Sequence, residues 1–113
     1  MRKIVFISGP ITASSAVKTA ENLYAFEEAE YMLLKAGYAP INPASDWDAV
    51  KHGGLDRKDL LEKDEALVAV SAALYQLDGW RDAPGARQEA RWAEKYGKPC
   101  AWTLTRLHKV LED

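Results

Sequence analysis

Short runs rich in β-branched and aromatic residues alternate with longer stretches whose apolar residues recur every three or four positions, and this alternation constrains the fold most. The first run, KIVFIS (3–8), ends in Gly9-Pro10 and reads as a buried strand followed by a turn. Ser14 and Ser15 are candidate caps for a long helix reaching about Ala36, with Leu23, Phe26, Ala29, Leu33 and Ala36 as its stripe and Gly37 as its stop. YAPIN (38–42) reads as a second strand ended by Pro43, and 44–56 as irregular chain around Gly53-Gly54. DRKDLLEKDEAL (56–67) is helical, with Asp56 as a plausible cap, and LVAVSAALYQL (67–77) passes from helix end into a third buried strand. A loop at 78–85 precedes a helix at about 85–96, stopped by Gly97. Pro99–Leu104 is a fourth strand and 105–113 a terminal helix.

That order predicts an α/β fold: a Rossmann-like (flavodoxin-like) parallel sheet of about four to five strands, with helices on both faces. Such sheets bind ligands beyond the carboxyl ends of their strands. Ser8–Thr12, Asn42–Trp47 and Asp78–Gly85 should converge there.

At 113 residues the chain is expected to form one domain, 1–113. A net charge of −2 supplies no basic excess to neutralise phosphates, which argues against nucleic acid or a membrane surface as partner. The single cysteine, Cys100, excludes an internal disulfide and fits a reducing cytoplasm; in its apolar run it reads as a buried, inert thiol. The longest apolar run, ALVAVSAALY (66–75), is shorter than the roughly 20 residues a membrane helix needs. The apolar part of the N-terminus is too short for a signal peptide, so a cytoplasmic location is expected.

The unusual residue is Glu89, which shares one helical face with Ala86 and Ala93. Near the helix start the macrodipole favours negative charge, so Glu89 is expected to stay ionised at neutral pH. The preceding DAPGAR loop offers free backbone N–H groups to a phosphate or a sugar hydroxyl. A carboxylate beside such a turn suits nucleophilic attack on the anomeric carbon of a nucleotide sugar. The pattern alone equally allows a Glu89 that merely favours the helix start.

SGPIT (8–12) is a glycine turn in which Gly9 permits close backbone approach and Pro10 stiffens the chain; it is neither GxGxxG nor a P-loop. Trp80 and Trp47 lie in loops, where they either stack on a base or cover the sheet edge. His52 and His108 have no partner at ligand spacing, so no metal and no cofactor are expected. The mixed charges of DRKDLLEKDE read as a solvated helix face.

With SGPIT, INPA, GW and GARQEARWA in this order, the chain resembles the nucleoside 2-deoxyribosyltransferase superfamily, and within it the small, often phage- or prophage-encoded branch called DUF4406. The resemblance runs from Lys3 to about Pro99. It implies an enzyme acting on the N-glycosidic bond of a (deoxy)nucleoside or its 5′-monophosphate, with a small-molecule substrate. It also implies a homodimer or higher homo-oligomer whose site is formed partly by a neighbouring subunit. Glu89 matches the family's glutamate nucleophile; water as acceptor would give a hydrolase, a second base a deoxyribosyltransferase. Gly9, Pro10 and Ile11 match the loop lining the base pocket, Gly85 and Ala86 the turn holding the sugar or 5′-phosphate, and Ser8 joins the expected substrate-binding set. Asn42, Asp78 and Trp80 complete the expected substrate-binding set.

The sequence departs from that pattern at Ala72, where relatives carry an aspartate that orients the nucleophile and handles the proton of the departing base. Loss of such a group costs roughly two to four powers of ten in rate. Three readings follow: Asp78 or Asp59 serves instead, Ala72 is an engineered replacement that traps substrate, or the protein binds a nucleotide without turning it over.

Overall fold

The computed structural model describes residues 1–46, 54 and 56–112; Trp47, His52 and Gly53 lie outside them. Strand β1 (Ile4–Ser8) is central, flanked by β2 (Ala39–Ile41) and β3 (Ala73–Gln76), and β4 (Cys100–Ala101) closes the far side. All pairings are parallel, in the order β2-β1-β3-β4. Four helices make the crossovers and the terminus: α1 (Ala16–Lys35), α2 (Arg57–Val70), α3 (Pro84–Lys95) and α4 (Leu104–Leu111). This is a Rossmann-like α/β fold with a flavodoxin-like strand order, reversing direction at β1.

Alternation along β1 decides what faces what. Val5 and Ile7 pack with Phe26, Ala29, Leu33 and Leu107, so α1 and α4 cover one face of the sheet. Phe6 packs with Val68, Leu74 and Ala93, so α2 and α3 cover the other. Burying one such aliphatic or aromatic side chain stabilises the fold by about 1.5–3 kcal/mol. Ser8 shares the parity of Phe6 and is therefore directed toward α2 and α3.

The helix starts follow local chemistry. Ser15 Oγ accepts from the Lys18 N–H at 3.1 Å and Asp56 Oδ1 from the Lys58 N–H at 3.0 Å. Helix α3 begins instead with Pro84, whose missing N–H costs nothing there. Gly37 and Gly97 take positive φ (97° and 69°) just beyond α1 and α3, where an L side chain would be strained.

Two boundaries differ from the sequence expectation. Helix α2 continues to Val70, so 67–70 is helical and β3 starts only at Ala73; an unbroken apolar run fits a buried helix end as well as a strand. Strand β4 is confined to Cys100–Ala101 because Thr103 caps α4, its Oγ1 accepting from the Arg106 N–H at 3.1 Å. His108 is hydrogen-bonded through Nδ1 to the Tyr38 hydroxyl at 2.6 Å. Among the described residues, no helix is long and apolar enough to cross a membrane.

Candidate active site

The carboxyl edge of the sheet is built around the end of β1. A Cβ on Gly9 would lie 2.8 Å from Leu77 Cβ, so only glycine lets this turn pass against the end of β3. The Asn22 amide donates to the Ile11 carbonyl at 3.2 Å and holds the following loop on α1.

Glu89 reaches this edge from α3. It occupies the inward stripe between Ala86 and Ala93 and is only 9% exposed. The Ser8 hydroxyl, itself fully buried, donates to Glu89 Oε1 at 2.6 Å. Burial raises the Glu89 pKa to about 8; the Ser8 hydrogen bond opposes the shift and the nearby Asp64 charge adds to it. The expectation of a Glu89 ionised at neutral pH is therefore corrected. With α3 starting at Pro84, Glu89 stands in the second turn, where the macrodipole has weakened and burial dominates.

A second carboxylate, Asp64 on α2, meets the same cavity. Its Oδ1 is buried with no hydrogen-bond partner among the described residues. Burial, and then the charge of Asp46, raise its pKa to about 6, with Lys63 pulling the other way. Lys63 Nζ donates to Asp46 Oδ2 at 2.7 Å, which ties that second charge down. Asp64 is the residue sequence reasoning missed. Its signal was present, because it stands at helical spacing from Leu60, Leu61, Leu67 and Val68, but the surrounding charges of DRKDLLEKDE obscured it.

The cavity between α2, α3 and the β1 turn measures about 390 Å³. Of the sequence-predicted residues, Gly9, Ile11, Gly85, Ala86 and Glu89 line it, joined by Asp46, Arg57, Asp64 and Trp92. Ser8 stands behind Glu89 as its hydrogen-bond donor. The other expectations are not met as lining. Pro10 packs near Gly79 instead, its Cγ 3.4 Å from where a Cβ there would stand. Asn42 accepts from the Ala44 N–H at 3.0 Å and donates to Glu30 Oε1 at 3.2 Å, which organises the chain after β2. Asp78 is exposed in the turn after β3, and Trp80 beside it carries the Arg81 guanidinium 4.9 Å from its ring centroid. Neither lines the cavity.

Ala72 is also elsewhere. Its N–H donates to the Ile4 carbonyl at 2.7 Å, just before β3 begins, whereas Ser8 pairs with Gln76 at the strand's far end. Position 72 stands four residue steps before position 76 in extended chain, about 13 Å away. The structure does not bring position 72 together with Glu89. Asp59 is exposed on α2 and does not line the cavity either. Among the described residues, no group of three or more His, Cys, Asp or Glu side chains is placed to hold a metal ion.

Known proteins were compared with this chain. The family model described as "Domain of unknown function (DUF4406)" matches residues 3–102. No curated protein matches. Among solved structures, the CMP N-glycosidase BcmB of Clostridium botulinum is similar in fold, with a TM-score of 0.61 at 17% identity, covering 96% of this chain and 82% of that one.

Proposed function

This chain belongs to the DUF4406 family, and we propose that it cleaves the N-glycosidic bond of a nucleoside or nucleoside 5′-monophosphate, with Glu89 as nucleophile and Asp64 as proton carrier. One observation carries this reading: two carboxylates from facing helices border one cavity, and their surroundings push their pKa values apart, to about 8 and about 6. In the resting pair the proton sits on Glu89, so the nucleophilic form requires that proton to pass to Asp64. The fold's similarity to a CMP N-glycosidase supports a nucleotide-derived substrate.

Near neutral pH the pair holds one proton, and that proton is all the chemistry needs. With Glu89 as carboxylate and the proton on Asp64, a Glu89 oxygen attacks the anomeric carbon. The bond to the base breaks, its electron pair goes to the departing nitrogen, and Asp64 delivers the proton. Asp64 then takes a proton from water, whose oxygen attacks the anomeric carbon and releases Glu89. A second base in place of water would give transfer. Resting protonation of Glu89 is compatible with this, because positive charge developing on the sugar favours moving the proton to Asp64. The Ser8 hydroxyl holds the attacking carboxylate in place.

The test is chromatographic detection of free base from a panel of deoxynucleosides and 5′-monophosphates. Base release that Glu89→Ala abolishes supports the proposal. Nucleotide binding without release from any substrate would overturn it and leave a nucleotide-binding protein.

A further inference from the structure

The cavity has a closed end. Along α3 its lining residues run from Pro84 to Trp92, and along α2 from Arg57 to Asp64. Both helices start at the carboxyl edge of the sheet and run back from it. The mouth therefore lies at their first turns, and Asp64 and Trp92 lie about 10–12 Å further in. Behind them the helices are clasped: Lys95 Nζ and the Tyr96 hydroxyl both donate to Glu65 Oε2, at 3.1 and 2.6 Å. Trp92 is the last lining residue before that clasp, and it packs, partly buried, against Phe6, Val68, Leu74 and Ala93.

Trp92 follows Glu89 by three residues, so the two are stacked neighbours on one face of α3. Side chains on a helix lean toward its N-terminus and cover the turn before their own, which brings the indole over the turn that carries Glu89. The polar groups facing the two carboxyls come from three places among the described residues. Ser8 belongs to β1, Asp46 with its Lys63 partner to the turn after β2, and Arg57 to the first turn of α2. Ahead of Glu89 on α3, Pro84, Gly85 and Ala86 carry no charge. Asp64 Oδ1 is hydrogen-bonded by none of them and is buried, so apolar surface is what holds it from water. An indole supplies more of that surface than any other side chain lining the cavity.

We propose that Trp92 is a positioning residue of this site: it walls off the inner end of the cavity, excludes water from the Asp64–Glu89 pair and so keeps one proton between the two carboxyls in the neutral range. A smaller side chain would admit water beside both groups, and water favours the charged form of each. The raised pKa values of both residues, with burial as the first cause, agree with this. The role rests on the reading of Glu89 and Asp64 as the reacting pair.

The experiment measures the pH dependence of kcat and of kcat/KM for base release by the wild type, Trp92→Phe and Trp92→Ala, with circular dichroism to establish folding. In Trp92→Ala both limbs of the profile should move to lower pH by about one unit, which lowers the rate at pH 8 about fivefold. Trp92→Phe keeps an aromatic wall, so its limbs should stay within about 0.3 unit of the wild type. A uniform loss of rate with the limbs in place would make Trp92 a structural support, and a rise in KM alone would make it a contact for the ligand. Either result overturns the wall while leaving the glycosidic reading intact. Carboxyl carbon chemical shifts of Asp64 and Glu89, followed through pH in the same three chains, test the wall without any turnover. Midpoints lower by about one unit in Trp92→Ala and kept in Trp92→Phe support it even if no substrate releases base. Midpoints unmoved in Trp92→Ala overturn it. If Trp92→Ala does not fold, Trp92→Gln, long but polar, replaces it and is read in the same way.

Discussion

Glu89 and Glu65 accept the same kind of hydrogen bond and respond in opposite directions. The Ser8 hydroxyl donates to Glu89 at 2.6 Å, and the Tyr96 hydroxyl donates to Glu65 at 2.6 Å. Yet the Glu89 pKa rises to about 8, whereas the Glu65 pKa falls below its ordinary value, through the Tyr96 hydrogen bond first and that of Lys95 second. Lys95 Nζ reaches Glu65 at 3.1 Å on an open helix surface, while Glu89 is only 9% exposed and pairs with no cation among the described residues. A short hydrogen bond therefore does not fix a carboxylate's proton; access to water and countercharge does. Asp64 and Glu65 repeat the contrast on adjacent residues of α2, one bordering the cavity with a raised pKa and the other paired across to α3 with a lowered one.

The largest effect expected from breaking this comparison is catalytic. Glu89→Ala should reduce base release by at least about 10⁴-fold, because no other carboxylate can take its place as nucleophile. Glu65→Gln should leave the rate within about twofold. A Glu65 variant as damaging as the Glu89 one, in single-turnover assays, would show that the surface pair matters to the reaction and would undo the distinction.

Asp64→Asn comes next, with an expected loss of about 10²–10⁴-fold. The wild-type rate should follow a bell, with limbs governed by the pair's apparent values near 6 and 8, since only the singly protonated pair is competent. The Asn variant should lose the basic limb, on which Asp64 gives up its proton, and keep the acidic limb, on which Glu89 ionises. A bell that persists unchanged would mean that another group carries the proton.

How far the sequence reveals this site depends on what surrounds each carboxylate. Glu89 is legible because it interrupts a run of alanines on an inward stripe, where any polar residue calls for an account. Asp64 obeys the same spacing rule, but four carboxylates and a lysine crowd the stretch from Asp59 to Glu65, and charge density reads as solvent exposure. The sheet itself was accessible through strand–helix alternation and the caps at Ser15 and Asp56. Reading 67–77 as a passage from helix end into strand left the position of Ala72 open, because the residue at which one gives way to the other was not legible; the helix runs to Val70 and β3 starts at Ala73. Asn42, Asp78 and Trp80 sit after the correct strands, but which loop residues turn inward is decided by turn geometry such as that at Gly79.

Stability gives a smaller and independent measure of the same contrast. The folded Glu89 pKa, about 8, lies above its ordinary value of 4.5, so the folded state holds the proton more tightly than the unfolded one. That contribution is complete below about pH 4.5 and is lost as pH rises through 8, an effect on the order of 5 kcal/mol at most. Glu89→Gln cannot ionise, so relative to the wild type it should gain stability in urea unfolding between pH 5 and pH 9. Glu65 carries the opposite sign: its lowered pKa contributes stability above its ordinary range that is lost as pH falls through the folded value. A Gln variant at position 89 tracking the wild type at every pH would mean that water reaches the carboxyl group.

The smallest effects come from deleting the two hydroxyls, and they separate the hydrogen bond from its setting most cleanly. Both bonds favour the charged carboxylate, so Ser8→Ala should raise the Glu89 pKa further and Tyr96→Phe should raise that of Glu65 back toward its ordinary value. Each shift should be about one unit or less, because a hydrogen bond to a charged group contributes about 1.5–3 kcal/mol before rearrangement and water compensate it. The exposed Glu65 should shift less, since water replaces Tyr96 directly. Carboxyl carbon chemical shifts followed through pH titration resolve both residues. Two shifts of the same sign would show that one physical interaction operates at both sites and that burial and the Lys95 charge set their opposite outcomes. A fall in the Glu89 pKa on removing Ser8 would mean that the hydroxyl accepts from a protonated Glu89 instead, and the resting proton would then be held by Ser8 as well as by exclusion of water.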